Sequence, residues 1–317
     1  MQKITAVEAT VHGTPRAVPR RRRVLLATAF VFFALALLVV LHSKEKTMHS
    51  LGGSRVTVSR DGTRIAFTKM GSGPSVVLVD GAFCYRENGP APDLAPLLAQ
   101  HFTVFIYDRR GRGESGDTPP YAIEREIDDL RAIVDAAGGS VDVVGVSSGA
   151  ALALQAAASG VKVKKLVLYE PPYVTNGDRP KPQEDPKIHI QQLVSAGDRA
   201  GGVKFFLADV VGVPRPIVFA MPFLMRSNWK RMEQVAHTLP YDLTICDDRS
   251  VLKERSASIS VPTLVLGGEK SPTGLRDAVS AVAKALPNAR SQFLAGQDHN
   301  LSAPIVAPLV VNFFNQR

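Results

Sequence analysis

Four short, almost unbroken apolar runs stand out along the middle of the chain: Val76–Val79, Val104–Tyr107, Val141–Val144 and Leu166–Leu168. A fifth, Thr263–Leu266, follows about a hundred residues later. A strand with one wet face alternates apolar and polar side chains, whereas a strand covered on both faces does not. These runs therefore predict the buried strands of a parallel sheet. Helical spacing occupies 122–137 and 148–159 between them. Ahead of the first run, Arg55-Val-Thr-Val-Ser and Arg64-Ile-Ala-Phe-Thr alternate around Asp61-Gly62, which predicts a β-hairpin. A strand over 289–294 and an apolar helix over 303–315 close the chain. A hairpin followed by repeated β-α units predicts an α/β fold with a mostly parallel, doubly wound sheet.

The alternation stops between Pro171 and about Ser260. The proline-rich polar stretch Asp178–Pro186 predicts an exposed loop. Helical patches follow at 187–196, 201–211, 216–225 and 228–238. A helical insertion at about 173–260, placed after a strand, predicts a lid over the C-terminal edge of the sheet. Its apolar segments, Lys204-Phe-Phe-Leu and Val218–Met225 with Trp229, either line an acyl pocket or form the lid's own core; the second reading is favoured.

Charge changes the picture only at the N-terminus. Of the net charge of +9, +6 lies in residues 1–50, where eight basic side chains face two acidic ones. The other 267 residues hold +3 and no basic stripe interleaved with aromatics, so no nucleic-acid partner is expected. Val24–Leu41 is an 18-residue run whose only polar side chain is Thr28. As a helix it spans about 27 Å, close to the thickness of a bilayer's hydrocarbon core. Arg20–Arg23 precede it, and only Lys44 and Lys46 follow, with Glu45 between them. The predicted organisation is a basic cytoplasmic leader at 1–23, a transmembrane anchor at 24–41, a linker at 42–52 and a domain at 53–317 outside the cytoplasm. Cleavage as a signal peptide is the competing reading, but no small-x-small site follows Leu41. Translation from Met48 would instead give a cytoplasmic protein.

Two cysteines, Cys84 and Cys246, make neither a disulfide framework nor a metal cluster, and no cofactor is implied. The strongest chemical signal is Gly145-x-Ser147-x-Gly149, placed after a strand and opening a helix. The glycines let neighbouring backbone approach the serine closely, and the helix N–H groups favour negative charge developing there. A serine hydroxyl needs a base. His12, His42 and His49 lie in the leader, His101 at the wrong sheet edge, and His189 and His237 in the insertion. His299 remains, in a loop after the last strand that opens at the same edge as Ser147.

With the turn Tyr107-Asp-Arg-Arg-Gly-Arg-Gly-Glu-Ser115 and the order Ser then His, residues 53 to the end resemble the α/β-hydrolase superfamily. The resemblance implies a serine hydrolase acting on an ester or related acyl bond, with Ser147 as nucleophile and His299 as general base. It also places the acid after the strand 262–267, in a pattern like Gly-x-x-Asp, where this chain has Gly268-Glu-Lys-Ser271. Glu170, at the end of the strand beside the elbow, is the favoured acid; Glu269 is the alternative. The oxyanion donors fall to the N–H of Ser148 and of Ala82 or Phe83. Where the family shows His-Gly, this chain has Asp80-Gly81, and Asp80 is expected to serve structurally, paired with Arg109 or Arg110. The implied partner is a small-molecule acyl substrate; oligomeric state is open. The rival reading is a membrane-tethered, hydrolase-like protein that binds ligands or partners without turnover. It expects no carboxylate within hydrogen-bond reach of His299.

Overall fold

The computed structural model describes residues 53–173, 184–247 and 254–316. The expected leader, anchor and linker, and most of the proline-rich loop, lie outside these residues. Among the described residues no helix is long and apolar enough to cross a membrane.

Eight strands form one sheet: β1 (Arg55–Val58), β2 (Arg64–Met70), β3 (Ser75–Val79), β4 (Thr103–Tyr107), β5 (Val141–Val146), β6 (Val163–Tyr169), β7 (Thr263–Gly268) and β8 (Ala289–Leu294). Their spatial order is β1-β2-β4-β3-β5-β6-β7-β8. The β1–β2 and β2–β4 pairs are antiparallel, and all later pairs are parallel. The apolar runs are explained by burial on two faces. In β3, Val77 and Val79 face one layer, holding α2 (Ile123–Ala136), α3 (Ser148–Ala158) and α9 (Thr273–Ala285). Val76 and Leu78 face the other, holding α1 (Ala91–Leu98) and α10 (Ala303–Asn315). Alanine dominates α3 because nine of its eleven residues are buried at the centre of the sheet, where only small side chains allow close packing.

Helix α1 has no counterpart among the sequence expectations, and Pro90, Pro92 and Pro96 stand at its start and inside it. Helix formation is carried instead by Ala91, Leu94, Ala95 and Leu98, whose spacing buries one face against the sheet.

Between β6 and β7 the described chain is helical: α4 (Pro186–Ser195), α5 (Arg199–Phe205), α6 (Arg215–Leu224), α7 (Arg226–Gln234) and α8 (Leu239–Asp247). The expected patch at 201–211 divides, because α5 widens into a π-helical stretch over Phe206–Val211. The patch at 228–238 also divides, and α8 begins where Pro240 falls in a first turn, which needs no N–H. Ile190, Val203, Phe206, Val218, Met221, Trp229 and Leu239 form the insertion's own core. Phe219 and Phe223 instead face solvent, at 62% and 88% exposure.

Candidate active site

Ser147 sits between β5 and α3 at φ 54, ψ −125, a conformation that L residues rarely adopt. The flanking glycines make that turn possible. A Cβ at Gly145 would lie 2.6 Å from the Cα of Ala150, and one at Gly149 would lie 2.1 Å from the Val79 carbonyl oxygen. Backbone bonds hold the turn on both sides. The Ser147 N–H donates to the Tyr169 carbonyl at 2.9 Å, and its carbonyl accepts the Ala150 N–H at 2.9 Å.

The loop after β8 brings His299 to the same region. The Tyr169 hydroxyl donates to the Asp298 carbonyl at 2.5 Å, and the Lys270 N–H donates to the Gln297 carbonyl at 2.9 Å. Close approach of this loop to β7 requires glycine at 268, where a Cβ would stand 2.4 Å from the Gln297 carbonyl oxygen.

Glu170 ends β6 with φ 47 and is fully buried. Its Oε2 lies 2.6 Å from His299 Nδ1. Its Oε1 accepts the Gly268 N–H at 2.7 Å and the Ser271 hydroxyl at 2.5 Å. Burial alone pushes the Glu170 carboxyl up, but the bonds from His299, Gly268 and Ser271 hold it below the usual carboxylate range. A carboxylate facing Nδ1 assigns the ring proton there and leaves Nε2 as an acceptor. Ser271, standing where the resemblance places an aspartate, thus supports the carboxylate that reaches the imidazole. Glu269 is exposed, and its backbone N–H donates to the Leu294 carbonyl.

Gly81 lies against the nucleophile candidate: a Cβ there would be 2.9 Å from Ser147 Cβ. Ala82 and Phe83 follow, with Phe83 at φ 63 and its ring edge-on to Phe206 of the insertion, centroids 5.3 Å apart. Ser148 opens α3, so its N–H has no acceptor within the helix. The Asp80 carboxylate accepts the Ala91 N–H at the start of α1, at 3.2 Å. Arg109 reaches the Asp80 carbonyl at 3.3 Å. Arg110, one of the two partners expected for Asp80, instead grips Asp129 through two bonds of 2.6 and 2.7 Å and reaches Asp61 at 3.2 Å.

The turn after β4 meets a carboxylate of α8, Asp242, that sequence reasoning missed. Arg109 binds Glu126 at 2.6 Å and Asp242 at 2.7 Å, and Arg112 binds the second Asp242 oxygen at 2.6 Å. Asp242 also accepts the Ser148 hydroxyl at 2.7 Å. Burial raises the Asp242 pKa, but Arg112, Arg109 and the Ser148 hydroxyl outweigh it, so the carboxyl stays ionised in the ordinary pH range. No local pattern marks this residue, because it falls in α8 among side chains with no recognisable motif. Among the described residues no group of His, Cys, Asp and Glu is placed to hold a metal ion.

Comparison with known proteins adds a lineage to this geometry. Residues 71–312 match a family described as the alpha/beta hydrolase family. The chain is 48% identical to an alpha/beta hydrolase from Sphaerobacter thermophilus, with 82% of this chain and 100% of that one covered and a TM-score of 0.77. An enol-lactonase from Burkholderia xenovorans is 20% identical, covering 83% and 100% of the two chains, with a TM-score of 0.65. An esterase from Exiguobacterium antarcticum is 18% identical over 83% and 100%, with a TM-score of 0.62. The last two share the fold, at identities too low to carry more.

Proposed function

This chain belongs to the alpha/beta hydrolase family, which implies hydrolase activity, and we propose that it cleaves a carboxylic ester or related acyl bond through a covalent acyl-enzyme on Ser147. The observation that carries this reading is the 2.6 Å contact between Glu170 and His299 Nδ1. It fixes the tautomer a general base requires, and the non-catalytic reading expects no carboxylate there. Ser147 Oγ attacks the acyl carbonyl carbon while His299 Nε2 takes its proton. Negative charge collects on the carbonyl oxygen, held by the N–H groups of Ser148 and of Ala82 or Phe83. The tetrahedral adduct collapses, and His299 returns the proton to the departing alkoxide. Water, deprotonated by His299, then attacks the acyl carbon and frees Ser147.

The substrate in this reading is a small-molecule acyl compound, and the helices over 184–247 act as the site's cover. Support comes from Phe83, whose ring packs on Phe206 of the insertion. A fluorophosphonate probe tests the serine. Wild-type protein is expected to be labelled and Ser147→Ala to be unlabelled. Equal labelling of both, or none of well-folded wild type, would reject an activated Ser147.

Residues 24–41 are part of the same proposal, as an anchor that places the domain outside the cytoplasm. Full-length protein made in a bacterial host is expected to sediment with membranes and resist alkaline carbonate extraction. Recovery of the intact chain in the soluble fraction would overturn the anchor.

A further inference from the structure

Arg109 and Arg112 of the turn after β4 reach the loop beside Ser147. Arg112 Nη1 donates to the Gly81 carbonyl at 2.6 Å and to the Cys84 carbonyl at 3.3 Å. Its Nε donates to the Thr238 hydroxyl at 3.1 Å, and Nη2 is held by Asp242 at 2.6 Å. The side chains of Arg112 and Asp242 are 1% and 3% exposed, so this contact is made out of water. A charge-assisted bond in such surroundings is short and directional.

The direction matters because the Gly81–Ala82 peptide is trans, like every described peptide bond except Pro119–Pro120. In a trans peptide the carbonyl and the following N–H point opposite ways across one rigid plane. A guanidinium that fixes the Gly81 carbonyl therefore also fixes the Ala82 N–H, aimed away from Arg112. No backbone carbonyl among the described residues accepts that N–H. The same logic sets the next peptide more weakly, since the carbonyl of Ala82 accepts from the neutral Cys84 thiol at 3.2 Å.

We propose that Arg112 and Asp242 are positioning residues for the oxyanion hole: Asp242, carried by the helical insertion, holds Arg112, and Arg112 orients the Ala82 N–H toward the oxyanion. This rests on the serine-hydrolase reading and selects Ala82 over Phe83 as the second donor. It also ties the insertion to the chemistry. The same Asp242 carboxylate that clamps Arg112 accepts from the Ser148 hydroxyl, so both donor-bearing residues or their supports converge on one residue of α8.

Removing one partner leaves a buried charge and risks unfolding, so the test neutralises both. The variant Arg112→Gln/Asp242→Asn is compared with Arg110→Gln/Asp129→Asn, which neutralises an equally buried pair that contacts neither Gly81 nor Ser148. Steady-state hydrolysis of a p-nitrophenyl ester is measured with amide hydrogen exchange over 81–84 and the thermal midpoint. The Arg112/Asp242 variant is expected to lose roughly 10- to 100-fold in kcat with KM little changed, and to exchange faster over 81–84. The Arg110/Asp129 variant is expected to lower the midpoint comparably while holding kcat. Equal kcat losses in the two variants, or unchanged exchange over 81–84, would overturn the proposal. Wild type that neither turns over ester nor takes a fluorophosphonate would overturn the serine-hydrolase reading itself, and this proposal with it.

Discussion

Alanine at Ser147 and alanine at His299 are each expected to lower kcat for an ester by about 10⁴- to 10⁶-fold, and the double variant is expected to lose no more than the worse single one. The reason is that the two side chains perform one step. Without the imidazole the hydroxyl keeps its proton, and without the hydroxyl the imidazole has no proton to take. Both groups sit on turns fixed by Tyr169, whose carbonyl accepts the Ser147 N–H and whose hydroxyl donates to the Asp298 carbonyl of the histidine loop. Neither substitution touches the sheet core, so the thermal midpoint serves as a control for folding. The comparison needs only steady-state rates on the three variants. Losses that multiply in the double variant would mean the residues act independently, and the nucleophile–base assignment would fall.

Glu170→Gln is expected to cost about 10³- to 10⁴-fold in kcat while leaving KM nearly unchanged. The neighbours dictate how the amide must sit. Gly268 N–H and the Ser271 hydroxyl both donate to Oε1, so the glutamine oxygen belongs there. Its NH₂ then faces His299 Nδ1 and requires an acceptor. That forces the ring proton onto Nε2, where it blocks the transfer from Ser147. The same carboxylate carries a pH signature. Its folded pKa lies below the ordinary glutamate value of about 4.3, so its contribution to stability is full above that value and is lost as pH falls through the folded pKa. The wild-type advantage in thermal midpoint over Glu170→Gln is therefore expected to be largest above about pH 5 and to shrink in acid. A gap that widens on acidification would show that the folded state prefers the protonated acid.

The sheet was legible because burial on both faces writes itself into sequence as unbroken apolar runs, and the elbow because glycine is required wherever a Cβ would strike backbone. Helix α1 was hidden by Pro92 and Pro96, whose local preference is overridden by the apolar face that Leu94 and Leu98 bury. Two kinds of information were absent altogether. Contacts across long sequence separations, such as Arg112 with Asp242, follow from how the insertion folds back and leave no local trace. Backbone strain is equally invisible. Among the described residues only three other than glycine have positive φ, namely Phe83, Ser147 and Glu170. Each costs of order 1–3 kcal/mol, and all three fall on candidate site positions singled out by the elbow motif and the family resemblance. A chain that concentrates its strain at one point holds that point in place by the packing around it.

The Arg109–Asp242–Arg112 contact also bears on descent within such a family. Helical insertions look like cassettes that recombination could exchange between relatives while the sheet stays constant. Here a graft replacing 184–247 would take away the Asp242 carboxylate and leave Arg112 buried with no acidic partner, at a cost of about 3–5 kcal/mol, while Arg109 keeps Glu126. A donor segment must therefore bring an acidic side chain to that one place, whatever its length or apolar content. The unit to be moved intact is then discontinuous: Arg112 of the framework together with Asp242 of the insertion.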